Sequence, residues 1–171
     1  MTFFRRRARQ TAASSEDGSV YRDLRRQVLT LNRRDLALED DGQPVLALLM
    51  ETGYPEAVAT LVGVADGSTS LYFSSGGGVI GAGEHPDVAG ATRSWLDLCG
   101  ELLPLLSVCE GEPALPAEGD TQFVAVTTDG LRSASAPEVE LGEERHRLSP
   151  LFHAGHEVIT RVRLVEESRG S

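Results

Sequence analysis

Apolar residues recur at helical spacing in three stretches of the chain, and between those stretches lie short runs patterned like strands. Val20, Leu24, Val28 and Leu31 share one helical face behind Ser19, a plausible N-cap, with Arg22, Arg25 and Arg26 expected to turn toward water. A charged connector over residues 32–44 ends in Gly42 and Pro44. Three runs then follow, PVLALLMETGYP, AVATLVGVADG and STSLYFSS. The first two are nearly continuous in apolar residues, as in strands covered on both faces, and the third alternates Leu71 and Phe73 against Ser70, Tyr72 and Ser74. Asp66-Gly67 marks a hairpin, expected to be of type I′.

After a glycine-rich stretch, Pro86 suits a first helical turn, and Val88, Thr92, Trp95, Cys99, Leu102 and Leu106 follow at steps of three and four. Pro104 should end or kink that helix. Residues 107–120 read as a Pro, Gly and Glu loop; QFVAVTT and LRSASA read as two strands joined across Asp129-Gly130. Ser149 and Pro150 open a last helix, with Leu151, Gly155, Val158, Ile159, Val162 and Val165 on one face.

These elements predict an α+β domain: a five-stranded, mainly antiparallel sheet (three strands, helix, two strands) packed with three amphipathic helices. The 171 residues suit one domain over residues 19–166, flanked by a flexible basic and polar tail (residues 1–18) and a frayed end (residues 167–171).

Charge changes the picture of partners. All 16 basic residues are arginine, and four of them stand in the first ten positions, so residues 11–171 carry 12 basic groups against 26 acidic ones. A body this acidic repels phosphate backbones and anionic membranes, which disfavours nucleic-acid or membrane binding by the domain, and the basic tail alone suits RNA, DNA or an acidic surface. Cys99 and Cys109 are the two cysteines, one on an apolar helix face and one in a loop, a pattern of reduced thiols that points to the cytoplasm. The basic start is followed by no apolar run of signal-peptide length.

Candidate chemistry is concentrated in TSLYFSSGGGVIGAGEHP. Gly76, Gly78 and Gly81 match G-x-G-x-x-G, but in a dinucleotide fold the helix must begin inside the motif, and Gly81, Gly83 and Pro86 block that. What remains is a loop whose exposed amides can hold a small ligand or anion near the helix start, built from Gly76, Gly77, Gly78, Gly81, Gly83, Glu84 and His85. The four histidines are His85, His146, His153 and His156. His153 and His156 lie three apart on one helix, with His156 bordering the apolar stripe. With Glu84, His85 or Glu157 they form a candidate zinc or iron set, although no recognised spacing such as H-E-x-x-H is present. Ser74 or Ser75 with His85 as base is the candidate nucleophile pair, without a G-x-S-x-G elbow. A thiol on a buried helix face makes Cys99 a poor one. No cofactor is implied by these residues.

The blocks GYPEAVATLVGVADGSTSLYFSSGGGVIGAGEH and SPLFHAGH resemble a group of short bacterial proteins of unassigned function. The element order resembles the small sandwiches of the profilin, roadblock and longin type, and that resemblance implies a dimerising scaffold or regulator. The resulting expectation is a non-enzymatic cytoplasmic interaction or regulatory module, with a protein partner or self-association through a sheet edge or helix pair. The alternative is a small enzyme or a ligand- or metal-binding protein using the Gly76–His85 loop with His153 and His156.

Overall fold

A computed structural model describes residues 17–38 and 42–171. Most of the predicted tail, residues 1–16, lies outside the described residues. Within them, a seven-stranded antiparallel sheet is sandwiched between helices. Its strands are β1 (Val45–Gly53), β2 (Val58–Val64), β3 (Thr69–Phe73), β4 (Gly78–Ile80), β5 (Ser107–Val108), β6 (Asp120–Thr127) and β7 (Gly130–Pro137). They run in the order β4-β3-β2-β1-β6-β7-β5. The helices are α1 (Asp17–Leu29), α2 (Arg33–Leu36), α3 (Pro86–Leu102), α4 (Glu138–Gly142) and α5 (Ser149–Arg169).

The order follows from four hairpins, β1–β2, β2–β3, β3–β4 and β6–β7, and one helical crossover. β1 pairs with β2, β2 with β3 and β3 with β4, and the chain returns through α3 so that β6 adds to the free side of β1. β1 is therefore central and buried along its whole length, as its continuous apolar pattern predicts. Side chains alternate between two cores. Leu48, Met50, Leu61, Leu71 and Phe123 join Trp95 and Cys99 of α3 and Leu151 and Val158 of α5 on one face. Leu49, Val62, Val64, Tyr72 and Val124 join Tyr21, Leu24 and Val28 of α1 on the other. Trp95 is fully buried and donates its Nε1 hydrogen to the Leu151 carbonyl at 3.1 Å, tying α3 to α5.

The mixed, antiparallel architecture agrees with expectation; the number of elements does not. Seven strands and five helices replace the expected five and three among the described residues. The additional elements are too short for a period to register: β4 has three residues, β5 two, α2 four and α4 five. α2 is held by local bonding, a capping box in which the Asn32 side chain accepts from the Asp35 N–H and the Asp35 carboxylate accepts from the Asn32 N–H.

Several boundaries also shift. α1 begins at Asp17, so Ser19 is in its first turn and does not cap it. α5 has Leu148 at its N-cap, while Ser149 is buried and its Oγ accepts from the His146 N–H at 3.3 Å. Helix continues to Arg169 through most of the stretch expected to fray. The Asp66-Gly67 hairpin is not type I′, because Gly67 takes positive φ (89°) and Asp66 does not. Its bonds, Gly67 N–H to the Val64 carbonyl (2.8 Å) and Val64 N–H to the Ser68 carbonyl (2.9 Å), fit a three-residue loop closed by a left-handed glycine. No helix among the described residues is long and apolar enough to cross a membrane.

Candidate functional site

The glycine run repeats the hairpin one strand later. Gly76 N–H donates to the Phe73 carbonyl at 3.0 Å and Phe73 N–H to the Gly77 carbonyl at 3.2 Å, the same pattern as at Gly67. Gly76, Gly77 and Gly78 all take positive φ (106°, 80° and 146°), and a Cβ on Gly78 would sit 2.4 Å from the Leu71 carbonyl oxygen. The triplet therefore satisfies the backbone of the β3–β4 turn. Its outer side does line a cavity of about 230 Å³, shared with Val20, Tyr21, Leu24, Tyr72 and Ile80.

The rest of the predicted loop goes elsewhere. Gly81 (φ 82°) starts a single 3₁₀ turn over Ala82–Glu84, and Gly83 lies against the β2–β3 turn, where a Cβ would meet the Gly67 carbonyl oxygen at 2.1 Å. Glu84 is exposed in that turn. His85 precedes α3, and its Nε2 lies 3.0 Å from Nη2 of Arg169 at the far end of α5. Arg169 stands 13 residues past His156, a rise of about 20 Å along the helix, so His85 and Glu84 are not brought to the other histidines.

His153 is exposed, with Nε2 at 4.0 Å from the Glu144 carboxylate. His156 packs its ring on Phe152, centroids 4.4 Å apart, and is half-buried. Among the described residues no three His, Cys, Asp or Glu side chains gather as a metal would require. His146 is occupied locally, its Nδ1 accepting from the Leu148 N–H at 3.1 Å. Of the nucleophile candidates, Ser74 Oγ accepts from the Val58 N–H at 2.8 Å, and burial pushes the Cys99 thiol up to about 12. Cys109 bonds to Ser133 Oγ at 3.0 Å.

Two arrangements went unread in the sequence. The first is an ionic network inside the α1 face of the sheet. Arg25, expected to face water, is only 4% exposed, because its guanidinium reaches Glu51 of β1, which is fully buried. Nε donates to Oε1 at 2.6 Å and Nη2 to Oε2 at 3.0 Å. Two further donors go to Glu112 (2.8 Å) and the Pro113 carbonyl (2.8 Å), and Gln122 of β6 donates to Glu51 Oε2 at 3.1 Å. Burial works against the Arg25 charge, but the bond to Glu51 and its field outweigh it and raise the guanidinium further. The only signal in the sequence was one acid at the end of a six-residue apolar run.

The second is a groove on the opposite face, where α5 leaves part of the sheet uncovered. Its volume is about 320 Å³, and its floor is Ala59, Leu71, Phe73 and Ile159. Around the rim stand Tyr54, His156, Thr160 and Arg163. Tyr54 and Phe73 are 46% and 38% exposed, and the Tyr54 hydroxyl donates to Glu138 at 3.4 Å. Burial and the Glu138 carboxylate both raise the Tyr54 hydroxyl. His156 Nε2 is buried without a hydrogen-bond partner among the described residues, and burial holds the ring below its ordinary value despite Glu138. Comparison with protein-family models, with characterised proteins and with solved structures found no match.

Proposed function

We propose that the protein is a non-enzymatic interaction module of the cytoplasm that associates with a second copy of itself through the β5 edge of its sheet. The observation that carries this reading is Val108, an apolar side chain 69% exposed on one of the two edge strands. The inner side of β5 is paired to β7 through Ser107 with Ser133 and Val108 with Arg132, which leaves its outer backbone for another strand. Leu115, 43% exposed in the segment that follows, adds apolar surface. A two-fold pairing places each Val108 near its copy, the self-complementary arrangement usual in dimers.

Two further features support it. Three of the groups singled out in the sequence are engaged in the fold: the glycine triplet of the expected ligand loop in a hairpin, Ser74 of the nucleophile pair on a strand amide, and Cys99 in the core. The order read from the sequence, helix, three strands, helix, two strands, helix, resembles that of sandwiches that serve as dimerising scaffolds.

Light scattering tests the reading. The protein should be dimeric or larger, and because each copy carries a net charge of −10, association should strengthen as salt screens the repulsion. Val108→Glu should yield a folded monomer. A protein that stays monomeric at high concentration and high salt sinks the proposal.

A further inference from the structure

The groove beside α5 has features that a mere packing gap does not require. Its floor is apolar, yet three polar groups converge on it with valency to spare. His156 Nε2 is buried and unpartnered. Arg163 makes no ion pair or hydrogen bond with any described residue, in a chain where acids outnumber bases 26 to 16. The Thr160 hydroxyl donates back to the His156 carbonyl at 3.0 Å, so its oxygen offers the rim only lone pairs, which a carboxylate does not use.

We propose that this groove is a binding site for a small carboxylate with a branched or aromatic apolar body, its carboxylate held by Arg163 and His156 and its body by Leu71, Phe73, Ala59 and Ile159. The volume of about 320 Å³ is at the small end of ligand pockets, which run from about 300 to 1,000 Å³. It suits a body the size of one apolar side chain. An arginine pairs with a carboxylate through a planar fork, and a partly desolvated site strengthens that bond. Nε2 has almost no accessible surface, so a turn of the His156 ring must first expose it; the neutral ring carrying its proton on Nε2 then donates a further hydrogen bond and satisfies that orphaned atom. One acid opposes the ligand: Glu138, which accepts from Tyr54 and whose field reaches His156. Its repulsion weakens binding without blocking the groove, which it does not line.

This site is distinct from the β5 edge, and neither proposal depends on the other. The test is calorimetric titration of the full chain with 4-methylpentanoate and phenylacetate, against the matching primary amides and against a short peptide ending in leucine. Both acids should bind and both amides should bind at least about tenfold more weakly, one charge-assisted pair corresponding to roughly that factor. Arg163→Gln should weaken the acids by about tenfold, and Glu138→Gln should tighten them by roughly two- to threefold. Thr160→Leu, an exposed helical position where leucine fills the rim, should abolish binding with folding intact. Equal binding of acids and amides, unchanged affinity in Arg163→Gln, or binding of the peptide without the free acids would each overturn the proposal. So would failure of both acids to bind at millimolar concentration.

Discussion

Arg25 grips Glu51 across the α1 face of the sheet, with 2.6 and 3.0 Å bonds between groups 4% and 0% exposed. The pair joins the first helix to the central strand, and through Glu112 and Pro113 it also fastens the loop before β6. Removing Glu51 leaves the buried Arg25 guanidinium with only the half-exposed Glu112 carboxylate as counter-charge. Glu51→Ala should therefore cost about 3–5 kcal/mol in urea denaturation. The double replacement Arg25→Met with Glu51→Leu should recover most of that loss, because it removes both desolvation penalties. A double variant as unstable as the single one would show that the network contributes more than charge pairing.

The two kinds of glycine in the central stretch should respond differently to alanine. Gly77 has positive φ but open space around it, so Gly77→Ala should cost about 1–2 kcal/mol from the left-handed backbone alone. At Gly83 the new Cβ meets the Gly67 carbonyl at 2.1 Å, and two backbone segments must part. Gly83→Ala should cost about 2 kcal/mol or more and shift the Gly67 amide resonance. Equal costs at both positions would refute the packing account of Gly83.

Trp95 is the single tryptophan and is fully buried between α3, α5 and the sheet. Its fluorescence should be blue-shifted, inaccessible to iodide, and red-shifted in one transition on unfolding. Trp95→Ala should cost about 3–5 kcal/mol, because the cavity would lie at the junction of three elements. Quenching of the native protein by iodide would contradict the burial.

His156 sets an acid-side dependence. Burial lowers its pKa in the folded state, so the unfolded chain binds its proton more readily. The stabilisation is full above the ordinary histidine value, about 6.5, and is lost as pH falls through the lower folded value. The melting temperature should therefore fall between about pH 7 and pH 5 by more in the native protein than in His156→Leu. Parallel curves would locate the acid sensitivity elsewhere.

The sequence by itself determined the helices α1, α3 and α5, the strands β1, β2, β3, β6 and β7, and the antiparallel meander. Each is long enough for its hydrophobic period to stand above noise, and periodicity is a local property. Even the partner faces of Leu71 and Tyr72 were legible, since alternate residues of a strand must point apart. β4 and β5 were not, because two or three residues become a strand only when a neighbour offers hydrogen bonds. Tertiary structure alone decided that Arg25 turns inward to Glu51, since the residues are 26 apart and only the packing of α1 on β1 opposes them. It also separated His85 from His156 along a helix and placed His156 beside Phe73, Tyr54 and Arg163. A site of that kind joins strand ends to a distant helix, and no spacing within the chain encodes such a meeting.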